Sequence, residues 1–333
     1  MFIINSYPLA VFFCFITMLC WGSWANTSKV SNEKWPFPMF YWDYSLGLII
    51  VALLYGMTMG SMGDTGRGFL ADLQQADSSS INSAFIGGII FNLSNLLLVA
   101  AIAVAGISVA FPVGVGLALV IGVIVNYIKK PEGDPLLLFG GVLLVVVAIV
   151  VNAIASSKVS KSKGSTPVKG IVLSVLAGII MGFFYRFVAD GMTLNFTTPD
   201  AGKLTPYSAV LIFSFGVYIS NFIWNSFFMY RPVEGIKSTY KDYFTKGTMR
   251  QHIFGLIGGG IWLTGFLFNL IASDKAGPAI SYGLGQGATM IGAAWGVFVF
   301  KEFRGAPPSI NRYLITMFVT FFAGLGMIII ARL

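Results

Sequence analysis

Residues 85–130 and 256–301 match one another at a constant offset of 171 positions, without a gap. Gly87/Gly258, Gly88/Gly259, Ile90/Ile261, Ala105/Ala276, Gly106/Gly277, Gly114/Gly285, Gly116/Gly287 and Lys130/Lys301 are identical, and Phe91/Trp262 and Phe111/Tyr282 stay aromatic. Each stretch is apolar enough to cross a bilayer twice, with little more than Ala-Gly between the crossings. Such a hairpin fixes two spans as antiparallel neighbours. Two matching membrane halves are the usual ground plan of a secondary transporter.

Ten apolar segments are long enough to span ~30 Å of hydrocarbon. They run Tyr7–Asn26, Met39–Met62, Ile81–Val104, Ile107–Ile128, Leu136–Ser156, Gly170–Ala189, Pro206–Met229, His252–Ala272, Pro278–Phe300 and Tyr313–Ile330. The repeat pairs segments three and four with eight and nine, which gives five per half. An odd number per half makes the halves insert in opposite directions. The predicted fold is an all-α polytopic membrane protein of ten transmembrane helices in two inverted five-helix repeats. Residues 1–156 and 170–333 form the halves, and a Ser/Lys-rich linker, 157–169, joins them.

With 56% hydrophobic and 10% charged residues, the 333-residue chain is not an ordinary soluble protein. The net charge of +8 does not point to nucleic acid, because the basic residues are few and sit at the ends of apolar runs. Fourteen Lys and Arg fall in loops one, three, five, seven and nine, among them Lys34, Lys161 and Lys163, against six on the other side. The positive-inside rule then makes the first set cytoplasmic and puts both termini outside, in the inner (plasma) membrane. Met1–Pro8 carries no basic side chain, so the first segment is expected to be retained rather than cleaved. Cys14 and Cys20 share that segment, and no structural disulfide is expected. In loop 63–80, Phe69 and Leu70 among polar residues suggest a segment lying on the membrane.

Charges inside spans are costly and therefore functional candidates. Asp43 lies about one turn from the cytoplasmic end of segment two, and Arg186 about one turn from the outer end of segment six. Their depths differ, so no direct ion pair is expected between them. Asp43 reads either as a helix-start hydrogen-bonding group or as a site coupled to a proton or cation. Arg186 either snorkels to the outer surface, paired with Asp190 one turn on, or belongs to the solute path. Asn92, Asn95, Asn221, Asn225, Thr264 and Asn269 offer uncharged donors and acceptors. They suit a neutral polar solute, and equally serve as glue between helices. Trp21, Trp24, Tyr185, Trp262 and Tyr282 lie within spans, where flat rings can stack on a planar heterocycle or a sugar face. Pro112, Gly114 and Gly116 in segment four, and Gly283, Gly285 and Gly287 in segment nine, mark a hinge, a broken helix or close packing. The lone His252, beside Arg250 at a segment start, reads as interfacial. The chain shows no zinc-type His/Glu pair, phosphate loop, Ser/His/Asp set or paired intramembrane carboxylates, so an enzyme is not expected and no cofactor is implied.

Cys20–Gly47, CWGSWANTSKVSNEKWPFPMFYWDYSLG, resembles the start of plant ureide permeases and their bacterial relatives. In that family an aromatic-Gly-small-Trp motif ends the first helix and an aromatic-Asp-Tyr motif opens the second. The matching positions are Trp21, Gly22, Trp24, Tyr41, Asp43 and Tyr44. With the ten-segment repeat, the chain resembles a member of the drug/metabolite transporter superfamily, with bacterial glucose/ribose porters as cousins. The resemblance implies proton-coupled import of allantoin-like ureides, uracil or related oxo-heterocycles, and outward termini. The nucleotide-binding-like motif of the plant central loop has no match in residues 157–169, so the resemblance does not extend to ATP.

The expected function is therefore a secondary transporter of a small neutral polar solute, working by alternating access. Trp24, Asn92, Asn95, Tyr185, Arg186, Asn221, Trp262, Tyr282 and Gln286 are the expected solute-site residues, with Asp43 as the ion-coupling residue. A sugar as solute, export rather than import, and a monomer or a homodimer all remain open to the sequence.

Overall fold

The computed structural model describes residues 1–31, 35–159 and 168–333. Lys34, Lys161, Lys163 and most of the linker lie outside the described residues. The helices are α1 (Tyr7–Ser23), α2 (Asn26–Ser31), α3 (Phe37–Met57), α4 (Phe69–Gln75), α5 (Ser78–Ala105), α6 (Ile107–Lys129), α7 (Pro135–Val159), α8 (Val168–Gly191), α9 (Pro206–Asn221), α10 (Trp224–Tyr230), α11 (Tyr240–Lys246), α12 (Met249–Ala276), α13 (Pro278–Gly285), α14 (Ala288–Ala294) and α15 (Ser309–Ile330). One isolated bridge, Met192 to Leu204, is the sole β pairing among the described residues. Cys14 and Cys20 are free thiols.

Eight helical stretches are long and apolar enough to cross a membrane: α3, α5, α6, α7, α8, α12, α15, and α9 continued by α10. The sequence predicts ten comparable spans, and the first and ninth segments differ. Helix α1 has 17 residues, or about 26 Å at 1.5 Å per residue. The chain turns at Trp24 and Ala25 into the short α2. The ninth segment is broken: α13 stops at Gly285, α14 starts at Ala288, and a π-helical turn follows at Trp295–Val299. Its glycines weaken the helix where Gly285 lies against Trp21 and Asn269. Helix α6 runs on unbroken through Pro112. The equivalent segments thus share a hairpin but not a break.

Both hairpins turn on glycine for a backbone reason. Gly106 has φ 78° and ψ 157°, and Gly277 has φ 80° and ψ 150°. A side chain is strained at that positive φ. Both chain termini pack at one end of the helices. The Met1 amino group donates to Thr65 O (2.8 Å), the Tyr7 hydroxyl to Ile329 O (2.6 Å), and Asp134 N to Ala331 O (2.6 Å). This is called the terminal end, and the opposite one, with most of the Lys and Arg, the basic end.

Helix crossings are made by small residues, as expected where lipid supplies no hydrophobic drive. Gly47 of α3 packs on Leu256 O of α12, and Gly259 of α12 packs on Tyr44 O of α3. On the other flank, Gly216 of α9 packs on Phe85 O of α5, and Gly88 of α5 on Phe213 O of α9. Helices α7 and α15 meet where Gly141 and Gly324 each face the other's carbonyl. A Cβ at Gly88 or Gly259 would collide with backbone, which cannot give. Gly88→Ala and Gly259→Ala should each destabilise by about 1–3 kcal/mol through overpacking, read as a lower melting temperature in detergent. Gly116→Ala, with open space around it, should change stability by less than about 0.5 kcal/mol.

The expected membrane-surface segment in loop 63–80 is corrected in part. Phe69 is buried, its ring against Gly56, while Leu70 is exposed. The loop folds back onto protein because Asp72 on α4 anchors it from within.

Candidate functional site

The residues singled out by the sequence fall into three layers along the helix axes. At the basic end a cavity of about 600 Å³ is lined by Lys29, Trp35, Phe37, Leu96, Phe228 and Glu234, among others. Next to its wall, Asn95 Nδ2 donates to the Tyr41 hydroxyl (3.1 Å). The Tyr41 ring stacks on Tyr44 at 5.0 Å, and Trp24 leans on Tyr44 at 4.8 Å.

In the middle, Trp262 lies nearly parallel between Trp21 (5.6 Å, 15°) and Phe213 (5.8 Å, 11°). Phe91 and Phe266 close the sides at 4.3 and 5.2 Å. Trp21 Nε1 donates to Trp262 O (3.2 Å), so the indole is held at its polar handle. The rings come from α1, α5, α9 and α12 and form an aromatic partition between the two ends.

Toward the terminal end a polar layer follows. The Tyr185 hydroxyl meets Ser281 Oγ (3.1 Å), Asn269 Nδ2 donates to Ser281 O (2.7 Å), and the Tyr282 hydroxyl donates to Ala118 O (3.2 Å). Gln286, half-buried, sits in the break of the ninth segment. Above this layer a cavity of about 260 Å³ is lined by Lys129, Lys130, Arg186, Asp190, Lys203 and Asp274, among others. Arg186 is ion-paired with Asp190 one turn on, and it does not approach Asp43.

Several buried polar atoms have no protein partner: both ends of the Asn221 amide, the Tyr44 hydroxyl, Asn92 Oδ1 and Asn269 Oδ1. Burying such groups unpaired costs about 1–3 kcal/mol each. The other end of Asn92 does act as glue, donating to Val217 O (3.1 Å) and Ser220 Oγ (2.7 Å) across α5 and α9. Asn225 likewise donates to Pro38 O (2.8 Å).

Asp43 is 4% exposed. The Tyr243 hydroxyl donates to its Oδ1 (2.5 Å), and His252 Nδ1 lies 3.1 and 2.9 Å from its two oxygens. The interfacial reading of His252 is therefore incomplete: one ring nitrogen meets a buried carboxylate. Tyr243, on α11, escaped the sequence reading. Its phenol is pushed up from the ordinary range by burial and then by the Asp43 carboxylate, which keeps it a donor. A signal was present for His252. It and Asp43 lie at similar depth from the same end of their segments, which lets such groups meet if the helices are neighbours.

The sequence profile of the ureide permease family, described as "Ureide permease", matches residues 40–163 and 155–331. "Ureide permease 1" of Arabidopsis thaliana is 23% identical over 398 aligned positions, covering 98% of each chain. "Probable ureide permease A3" of Vigna unguiculata is 26% identical, covering 91% of this chain and 97% of the relative. A solved crystal structure superposes with a TM-score of 0.56 at 13% identity, over 95% of this chain and 96% of the other, which speaks for the fold alone. The matched stretches take in Asp43, the polar layer and every ring of the aromatic partition except Trp21, and together they span the helical frame from α3 to α15. On that coverage the chain belongs to the ureide permease family, whose members are membrane transporters and not enzymes.

Proposed function

We propose that this protein is a secondary transporter importing a small neutral polar solute, of the ureide or nucleobase type such as allantoin or uracil. Import is coupled to protons and works by alternating access between two inverted five-helix halves. The observation that carries the solute class is that the spans bury polar atoms without partners, at Asn221, Tyr44, Asn92 and Asn269, and also bury an aromatic stack. A flat oxo-heterocycle has N–H and C=O groups on its edge and an apolar face. It can satisfy the former and stack on the latter. The names of the relatives, ureide permeases, agree with that chemistry.

Trp24, Asn92, Asn95, Tyr185, Asn221, Trp262, Tyr282 and Gln286 are the proposed solute contacts, Arg186 a gate at the terminal end, and Asp43 the coupling residue. Support for inverted repeats comes from the glycine crossings. Gly259/Tyr44 and Gly47/Leu256 have their counterparts in Gly88/Phe213 and Gly216/Phe85 when the halves are exchanged. The two segments that are short or broken complete ten crossings, since helices interrupted at Gly are common around transporter sites. The basic end would face the cytoplasm, leaving both termini outside.

Thermal melting of the purified protein with allantoin, uracil, glucose, ribose and rhamnose tests the solute class. A ligand at 100 times its Kd should add about 2.7 kcal/mol of stability. Allantoin or uracil should raise the melting temperature and the sugars should not; the reverse would overturn the solute assignment and favour a sugar porter. In liposomes, Asp43→Asn should abolish allantoin accumulation driven by a pH gradient; unchanged accumulation would remove Asp43 from the coupling role.

A further inference from the structure

The chain has a single histidine, and it bonds to the most buried acidic group of its spanning segments. Helix α3 brings Asp43 and α12 brings His252, and these come from different halves. The two helices are locked in register by the Gly47/Gly259 crossing, and Gly255 lies directly on the Asp43 side chain. His252 Nδ1 faces Asp43, while Nε2 faces the turn at Gly247 between α11 and α12. The imidazole thus bridges a buried carboxylate and the surface of the basic end; its side chain is 26% exposed against 5% for Asp43. Tyr243 reaches the same carboxylate from α11, a helix set by a capping box in which Thr239 and Asp242 bond reciprocally. By the registers of the glycine crossings, Asp43 answers to Ile212 and His252 to Ile81, so among the described residues the carboxylate–imidazole pair does not recur at the terminal end.

We propose that Asp43, His252 and Tyr243 form a one-sided proton-release relay at the basic end. In it His252 carries protons from the buried carboxylate to the aqueous phase, and Tyr243 positions the carboxylate. The relay rests on the proton-coupled reading above. Protonated Asp43 gives its proton to Nδ1 of a ring that carries hydrogen on Nε2. The Nε2 proton then leaves to water, so one proton enters and one departs. What remains is ionised Asp43 accepting from Nδ1–H and from the Tyr243 hydroxyl, which is the arrangement the distances describe. The ring returns to the Nε2–H form when the two halves move and the pair separates.

Among the described residues, the other charged and titratable groups on the packed elements are engaged or turned away. Asp242 and Lys246 pair on α11 at 2.7 Å, Arg250 donates to Val30 O at 2.9 Å, and Lys29 pairs with Glu302 at 3.7 Å. Lys241 is exposed on α11, Tyr44 stacks on Tyr41, and Tyr218 of α9 packs edge-on against Trp42. None competes with His252 for the carboxylate.

A sole histidine makes the relay directly visible. In protein purified without a histidine tag and labelled with ¹⁵N-histidine, two-bond ¹H–¹⁵N spectra report one ring. The relay requires the Nδ1–H tautomer near neutral pH, changing to the Nε2–H form in Asp43→Ala. An identical tautomer in both proteins would overturn it, whatever the solute. In liposomes, His252→Gln should cut pH-driven allantoin accumulation at least tenfold, and imidazole inside the vesicles should restore part of it. Full accumulation in a well-folded His252→Gln protein would also overturn the relay. Tyr243→Phe should move the pH of half-maximal accumulation upward by about one unit, from loss of a hydrogen bond to a charged group; an unmoved profile removes Tyr243 from the relay. Allantoin counterflow by the unaltered protein, which needs no proton gradient, tests the transport reading separately.

Discussion

Trp262→Ala should destabilise the protein by about 3–5 kcal/mol and lower solute accumulation at least tenfold. The indole is 5% exposed and sits between Trp21 and Phe213, with Phe91 and Phe266 at its sides. Removing it leaves a ring-sized void in a layer whose neighbours are held by four helices, so collapse is incomplete and the cavity cost persists. The same void joins the spaces at the two ends and lets solute and protons leak through the partition. Thermal melting in detergent measures the first effect, and uptake against passive efflux in liposomes the second. Phe298→Ala is the control. That ring is 67% exposed on the flank, where lipid tails replace what is lost, and its removal should cost within about 0.5 kcal/mol.

Asp72→Ala should cost about 3–5 kcal/mol, the range for removing one partner of a buried ion pair. Asp72 is fully buried and accepts from Arg67 Nη1 (2.9 Å), Thr205 N (2.7 Å) and Thr205 Oγ1 (3.0 Å). Arg67 spends its other donors on Pro199 O (2.9 Å), Asp200 O (3.0 Å) and Lys203 O (3.1 Å). This network ties the loop before α5 to the loop before α9 at the terminal end. Without the carboxylate, Thr205 N–H and the guanidinium lose a buried acceptor. The melting temperature should fall, and protease cleavage between 192 and 205 should accelerate. Asp72→Asn should cost less, because its amide oxygen still accepts from Thr205 N. Equal melting of all three proteins would mean the network contributes nothing.

The two hairpins and eight of the ten expected spans were legible because each follows from local terms. A run of apolar residues meets lipid wherever it lies, and Ala-Gly turns at 105–106 and 276–277 leave no room for another connection. Gly285 and Gly287 foretold a weak point, and the ninth segment does break there. Pro112 was an equally good local signal and α6 is continuous through it. Neighbouring helices decide whether a weakened turn opens, and that is not encoded at the weak residue. Phe69 was misread for the same reason: an aromatic among polar residues suits a membrane surface, but Gly56 offers it a place inside the protein.

The polar residues show the division most clearly. Asn92 and Asn95 were identifiable as candidates, but one is largely a tie to Ser220 while the other holds Tyr41. Which of the two roles an amide takes depends on what the facing helix presents. By itself the sequence determined the membrane class and the list of groups able to bind a solute or a proton, because desolvation acts residue by residue. Only the tertiary structure decided which of those groups meet. Asp43 and His252 lie 209 positions apart, and they are brought together by a helix crossing whose glycines let two backbones touch.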